Sequence, residues 1–177
     1  LNIQKAALLV ISSLILALFM LANTMTPSPG TSSGNGNPAL FILFILIPLF
    51  IIMVALWISL LHTYPFRLPV YLMSMFLIVL HLSIAFVYQK IQLAQYREVI
   101  EKALIKRNGF ADAAYIEDIT AGLSFHVNNQ YFNFNTYLMF LTFSLFSAML
   151  FTLLDFWEKR KKNGQPDFFK KEGGGRR

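Results

Sequence analysis

The chain has 177 residues, 56% of them hydrophobic and only 14% charged, with 18 Phe, which is too apolar for one water-soluble core of ordinary composition. The net charge of +6 is weighted towards a C-terminal tail that directly follows an apolar run, so it points to a membrane surface and gives no argument for nucleic acid. With no cysteine present, disulfide frameworks, thiol redox chemistry, thiolate metal sites and palmitoylation are excluded by residue type.

Four uninterrupted apolar stretches mark the chain: Ala6 to Ala22, Ala39 to Leu61, Val70 to Tyr88 and Phe134 to Phe156. None holds Lys, Arg or Glu, and each approaches the roughly 20 residues that a helix needs to cross hydrocarbon. Continuous rather than alternating apolarity implies helices and not barrel strands. The expected fold is therefore an all-α integral membrane protein, a bundle of four transmembrane helices. Residues 1–89 hold the first three with short loops, 90–133 form an extracytoplasmic segment, 134–158 form the fourth helix, and 159–177 form a basic cytoplasmic tail.

The first run resembles a cleavable signal, but no Ala-x-Ala-like site follows "FMLANTM", so it is read as a retained helix. "NTMTPSPGTSSGNGNP" (23–38) is Gly-, Ser-, Asn- and Pro-rich and uncharged, which is the composition of a connector that only links.

Within the third run, "FLIVLHLSIAF" sets His81 among residues that offer it no partner. An ionisable group inside a membrane span is a functional candidate by default. Ser74, His81, Ala85 and Tyr88 share a helical face, so the imidazole is expected to point into the bundle. Small residues recur at spacings of four elsewhere (Ser13 and Ala17; Ala55 and Ser59; Ser144, Ala148 and Thr152) and let helices approach closely. A proton relay needs a second titratable partner that the spans do not supply. His81 is read first as interhelical polar glue, with ligand contact and proton chemistry as the alternatives.

Beyond Tyr88, "YQKIQLAQYREVIEKALIKRNG" continues the helical pattern as an amphipathic stalk that stops at Asn108-Gly109, with Glu98 placed to pair with Lys102. Its stripe of Leu93, Tyr96, Ile100 and Leu104 either packs on its own loop or meets another chain. The expectation adopted is a partner-binding surface, because 44 residues bury little by themselves. "ADAAYIEDITAG" suits a short helix with Asp112 as N-cap, and "LSFHVNNQYFNF" alternates in the manner of a small hairpin or an extended return to the membrane. Asp112, Glu117, Asp118 and His126 match no hydrolase or metal spacing and are read as a solvated face.

After the fourth run comes "FWEKRKKNGQPDFFKKEGGGRR", with eight Lys and Arg. By the positive-inside rule this tail and the N-terminus are cytoplasmic. Trp57, Tyr64 and Trp157 then fall at the inner boundary, and Tyr88, Tyr131 and Tyr137 near the outer one. Lys159, Arg160, Lys161 and Lys162 are expected to meet anionic lipid headgroups. The outline, with both ends inside and a larger loop between spans three and four, is similar to that of tetraspanins. Their Cys-Cys-Gly motif cannot exist here, so nothing is carried over from them.

No catalytic, cofactor or metal motif is present: there is no HExxH, no GxSxG and no phosphate-binding Gly loop. The sequence favours a non-catalytic accessory or assembly subunit of a larger membrane protein complex, in a bacterial plasma membrane. It would dock through its small-residue helix faces and its outer segment. A channel or transporter component built by oligomerisation, and a membrane enzyme acting on a lipid-linked substrate, are the alternatives.

Overall fold

Inside hydrocarbon every backbone N–H and C=O must find its partner within the chain, and the four apolar runs meet that demand as helices. The computed structural model describes residues 3–31 and 36–162. In chain order come α1 (Ile3–Thr24), α2 (Ala39–Leu61), α3 (Leu68–Asn108), α4 (Ala113–Ile119), a single 3₁₀ turn at Phe125–Val127, α5 (Asn128–Tyr131) and α6 (Phe134–Lys162). α1, α2, α3 and α6 are each long and apolar enough to cross a membrane, which makes this a multi-pass membrane protein.

α2 covers the apolar run from Ala39 to Leu61, entered through Pro38. α3 is longer than any span requires: its 41 residues extend roughly 61 Å at about 1.5 Å per residue, twice the hydrocarbon thickness. Pro69 sits in its first turn, where its missing N–H costs nothing. Gly109 ends it at φ +80°, a left-handed cap donating its N–H to the Ile105 carbonyl. The stalk and the third apolar run are thus one rod, whose C-terminal half and the residues that follow it (90–133) form an arm.

α6 is the hub of the bundle, because α1, α2 and α3 all pack on it. Between α1, α2 and α6, Ile15, Phe19, Met53 and Tyr137 form the main core, extended by Phe132 from the arm. Phe19 meets Phe132, Tyr137 and Phe140 edge-on at centroid distances of 5.6 to 6.0 Å, a geometry aromatic quadrupoles favour. A second cluster of Tyr71, Ile78 and Met149 joins α3 to α6, and Phe66 closes it by stacking on Phe156 at 4.2 Å. α2 and α3 both lean on α6 but scarcely on each other.

The arm departs from the sequence reading in two places. No strand occurs among the described residues, and the stretch expected as a small hairpin or an extended return to the membrane is the 3₁₀ turn followed by α5. Ser124 accepts the N–H of His126 there, and Phe132 donates to the Asn128 carbonyl, so the local bonds close short turns rather than a ladder. In addition, no ion pair joins Glu98 to Lys102; the helical pairs present are Lys159 with Asp155 and Lys162 with Glu158, both 2.7 Å.

Candidate functional site

The end of the bundle that carries the arm is held by uncharged amide side chains. Asn133 and Thr136 form a reciprocal cap at the start of α6: Thr136 N–H donates to Asn133 Oδ1 at 3.1 Å, and Asn133 N–H donates to Thr136 Oγ1 at 3.0 Å. Gln89 of α3 donates to the Gln130 carbonyl at 2.6 Å, and its Oε1 accepts from Asn133 and Asn135. Across the bundle, Asn37 and Asn128 bond to each other, and Asn37 also donates to the Leu123 carbonyl and accepts from Ala39 N–H. Asn23, at the end of α1, donates to the Phe132 carbonyl at 2.6 Å. Residues 123–133 therefore bridge α1, α2 and α3 in one seam.

This corrects the reading of 23–38 as a segment that only links. Besides Asn23 and Asn37, its Gly30 accepts from Arg107 Nη1 at 2.7 Å. Gly30 is at φ +79° and a Cβ there would come within 3.1 Å of Ala103 Cβ, so only glycine lets the connector lie this close to α3.

Because α2 and α3 diverge, a groove of about 900 Å³ opens between them on the arm side of the bundle. Leu43, Ile47 and Phe50 of α2 form one wall, and Val79, Ser83 and Phe86 of α3 form the other. Met139 and Phe143 of α6 form its floor. Towards the arm, Leu123, Asn128 and Tyr131 close it. The walls carry no ionisable group, and Ser83, Asn37, Asn128 and Thr136 supply a little polarity near the closed end. A concave, mostly apolar site with a few polar groups, at the upper end of roughly 300–1,000 Å³, is the usual form of a small-molecule pocket.

Each residue singled out in the sequence has a definite place. His81 is half-buried, with Nδ1 3.3 Å from Thr142 Oγ1 on α6. Thr142 also bonds the Leu138 carbonyl, so the imidazole joins α3 to an already anchored hydroxyl. His81 lies on the flank of the α3–α6 contact away from the groove and does not line it.

In the stalk, Ile100 is fully buried and Leu104 nearly so, packed against Ile116 and Ile119 of α4 with Tyr96 and Ala111 alongside, and Leu93 is half-buried. Ile100 and Leu104 are thus covered by the chain's own α4, so these two residues of the stripe expected to meet a partner are already occupied within the chain, while Leu93 and Tyr96 are half-buried. Arg97 reinforces the contact by donating to Thr120 Oγ1 at 2.8 Å.

Asp112, Glu117 and Asp118 are exposed as expected, and Asp112 caps α4 by accepting from Ala114 N–H at 2.9 Å. His126 is not part of that solvated face: it is 1% exposed, and its Nε2 has no hydrogen-bond partner. Burial pushes its imidazole below the ordinary histidine range, because the cation loses water and gains nothing. Among the described residues no group of three or more His, Asp or Glu could hold a metal ion.

Of the small-residue faces, Ser144, Ala148 and Thr152 of α6 are buried inside the bundle, whereas Ser13 and Ala17 of α1 and Ala55 and Ser59 of α2 lie on its surface. Lys159 and Lys162 engage carboxylates but stay largely exposed, and Lys161 is exposed as well. The other four cations of the eight-cation tail expected to be cytoplasmic, Lys170, Lys171, Arg176 and Arg177, lie outside the described residues.

Neither a family model, nor a curated protein, nor a solved structure matches this chain.

Proposed function

We propose that this chain is a non-catalytic accessory or assembly subunit of a larger membrane protein complex. The observation that carries the reading is the unequal use of the small-residue faces. α6 spends its face inside the bundle, while α1 and α2 keep Ser13, Ala17 and Ala55 outward; Ser59, also exposed, accepts from Gln4 Nε2 of α1 at 2.7 Å. In lipid, where apolar burial does not drive association, such faces are where another helix approaches closely. The arm, rigid through its own small core, then serves as a fixed extramembrane element beside the docked partner. The basic end of α6 supports a topology with both ends of the chain cytoplasmic and the arm outside, and a bacterial plasma membrane is the setting proposed.

The test is co-purification in mild detergent. Ala17→Ile and Ala55→Ile add bulk to the outward faces without touching the core and should lower the yield of a stoichiometric partner at least fivefold. Leu80→Ile, on the lipid-facing side of α3, should leave it unchanged. Partner yield unaffected by both Ile substitutions, or a pure homo-oligomer with no second chain, overturns the reading.

A further inference from the structure

The groove between α2 and α3 has a length, a depth and a rim that together select its occupant. Its α2 wall runs from Leu40 to Ile51, roughly 17 Å at about 1.5 Å per residue, which is close to one leaflet of a hydrocarbon core about 30 Å thick. At the arm end it is shut. The segment 123–130 is fastened to the α2 side by Asn37, bonded to Leu123 and Asn128, and to the α3 side by Gln89, bonded to Gln130. A partner's transmembrane helix, or one from a second copy, must run the full thickness and leave through that end. The strap stands in its way. A flexible chain entering sideways from the bilayer meets no such obstacle and finds walls with no charged group to desolvate.

The rim adds a charge of one sign. Lys90 stands one turn beyond Phe86 on the same face of α3, with Nζ 5.0 Å from the centre of the Phe86 ring that lines the groove. It is exposed, and among the described residues no salt bridge engages it. Its ammonium lies over that ring at the arm end of the groove, where it complements an anion at the headgroup level.

We propose that this groove binds one hydrocarbon tail of an anionic glycerophospholipid from the arm-side leaflet, with the lipid phosphate held at Lys90. This goes beyond the accessory-subunit reading and does not depend on it, since the outward small faces of α1 and α2 lie elsewhere on the bundle.

Native mass spectrometry of the purified full chain, with phosphatidylglycerol and phosphatidylcholine of identical tails added in turn, tests it. One phosphatidylglycerol should stay bound per chain under conditions that strip at least nine-tenths of the phosphatidylcholine. Lys90→Gln should bring the two lipids to equal retention. Ser83→Trp, which fills the groove, should reduce phosphatidylglycerol retention at least tenfold, and Leu80→Trp, outside the groove, should leave it within twofold of the unsubstituted chain. Val79→Trp serves if Ser83→Trp does not fold. Independently of any substitution, phosphatidylglycerol with a photoreactive group in its tail should label peptides covering 40–51 and 79–86. No retention by the unsubstituted chain, retention surviving the filled groove, or labelling spread evenly over all four long helices overturns the proposal. So does a dimer trapped by a disulfide through Ile47→Cys in this cysteine-free chain, which would mean that a second copy fills the groove.

Discussion

Asn37 and Asn128 exchange two hydrogen bonds across 91 residues of chain, Nδ2 of each donating to Oδ1 of the other at 2.9 and 3.0 Å. Asn128 is fully buried, so the pair is a desolvated contact in which each amide supplies what the other lacks. It ties the start of α2 to the segment that returns to α6.

Asn37→Ala leaves the Asn128 amide buried and unpaired and should cost about 1–3 kcal/mol, whereas after Asn128→Leu the half-buried Asn37 keeps the Leu123 carbonyl and the Ala39 N–H, so that change should cost less. The double variant should cost less than the sum by about 1 kcal/mol. Reversible unfolding in mixed micelles measures the cycle. Additive costs would mean that the two residues act independently and that the seam is not a unit.

His126 gives the arm a pH dependence of known sign. The folded imidazole is pushed below the ordinary value by burial, so the unfolded segment takes up a proton first as pH falls. Stability is therefore full above about pH 6.5, where the group is neutral in both states, and declines as pH drops from there towards the lower folded value. Hydrogen exchange should show residues 113–131 losing protection as pH is lowered below about 6.5, with His126→Phe abolishing the change. Protection independent of pH in the unsubstituted chain contradicts this.

For His81, the single bond to Thr142 predicts a mild and specific effect. His81→Gln keeps a group that reaches the hydroxyl and should be nearly neutral, whereas His81→Leu should lose about 0.6 kcal/mol, an average interhelical hydrogen bond in a membrane. If Gln abolishes partner co-purification while the bundle remains as stable as before, the imidazole has a role other than joining α3 to α6.

Topology is open to direct labelling, because the chain has no cysteine of its own. With both ends cytoplasmic, Tyr115→Cys should react with an impermeant thiol reagent in intact cells, and Lys161→Cys should react only after lysis. The opposite pattern reverses the assignment of the arm and of the groove's leaflet.

The long elements were legible because lipid imposes one simple demand on sequence: α2 has the bounds of its apolar run, and Gly109 and Asp112 mark the stop and start they were read as. The seam was not. Asn and Gln carry no local signature of their partner, and Asn37 finds Asn128 only once α1, α2 and α6 have packed. For the same reason "LSFHVNNQYFNF" does not form the hairpin or extended return that its alternation suggests: its polar residues alternate because several of them answer to different helices, not because one side of a strand is wet. The groove leaves no mark in the sequence either, since its lining residues are as apolar as any that face lipid, and only the divergence of α2 from α3 sets them apart. "NNQYFNFNT", with its run of carboxamides just before a membrane span, was the one available hint.

α3 has no break between its membrane half and its arm, and this makes it a lever. From Gln89, at the seam, to Asn108 is roughly 29 Å at about 1.5 Å per residue, so a tilt of about 10° in the span swings the tip by about 5 Å. Helix tilt responds to bilayer thickness. Since Arg107 near the tip donates to the Gly30 carbonyl, the far end of that rod and the residues leading out of α1 are tied, and one cannot be displaced without the other while this bond holds.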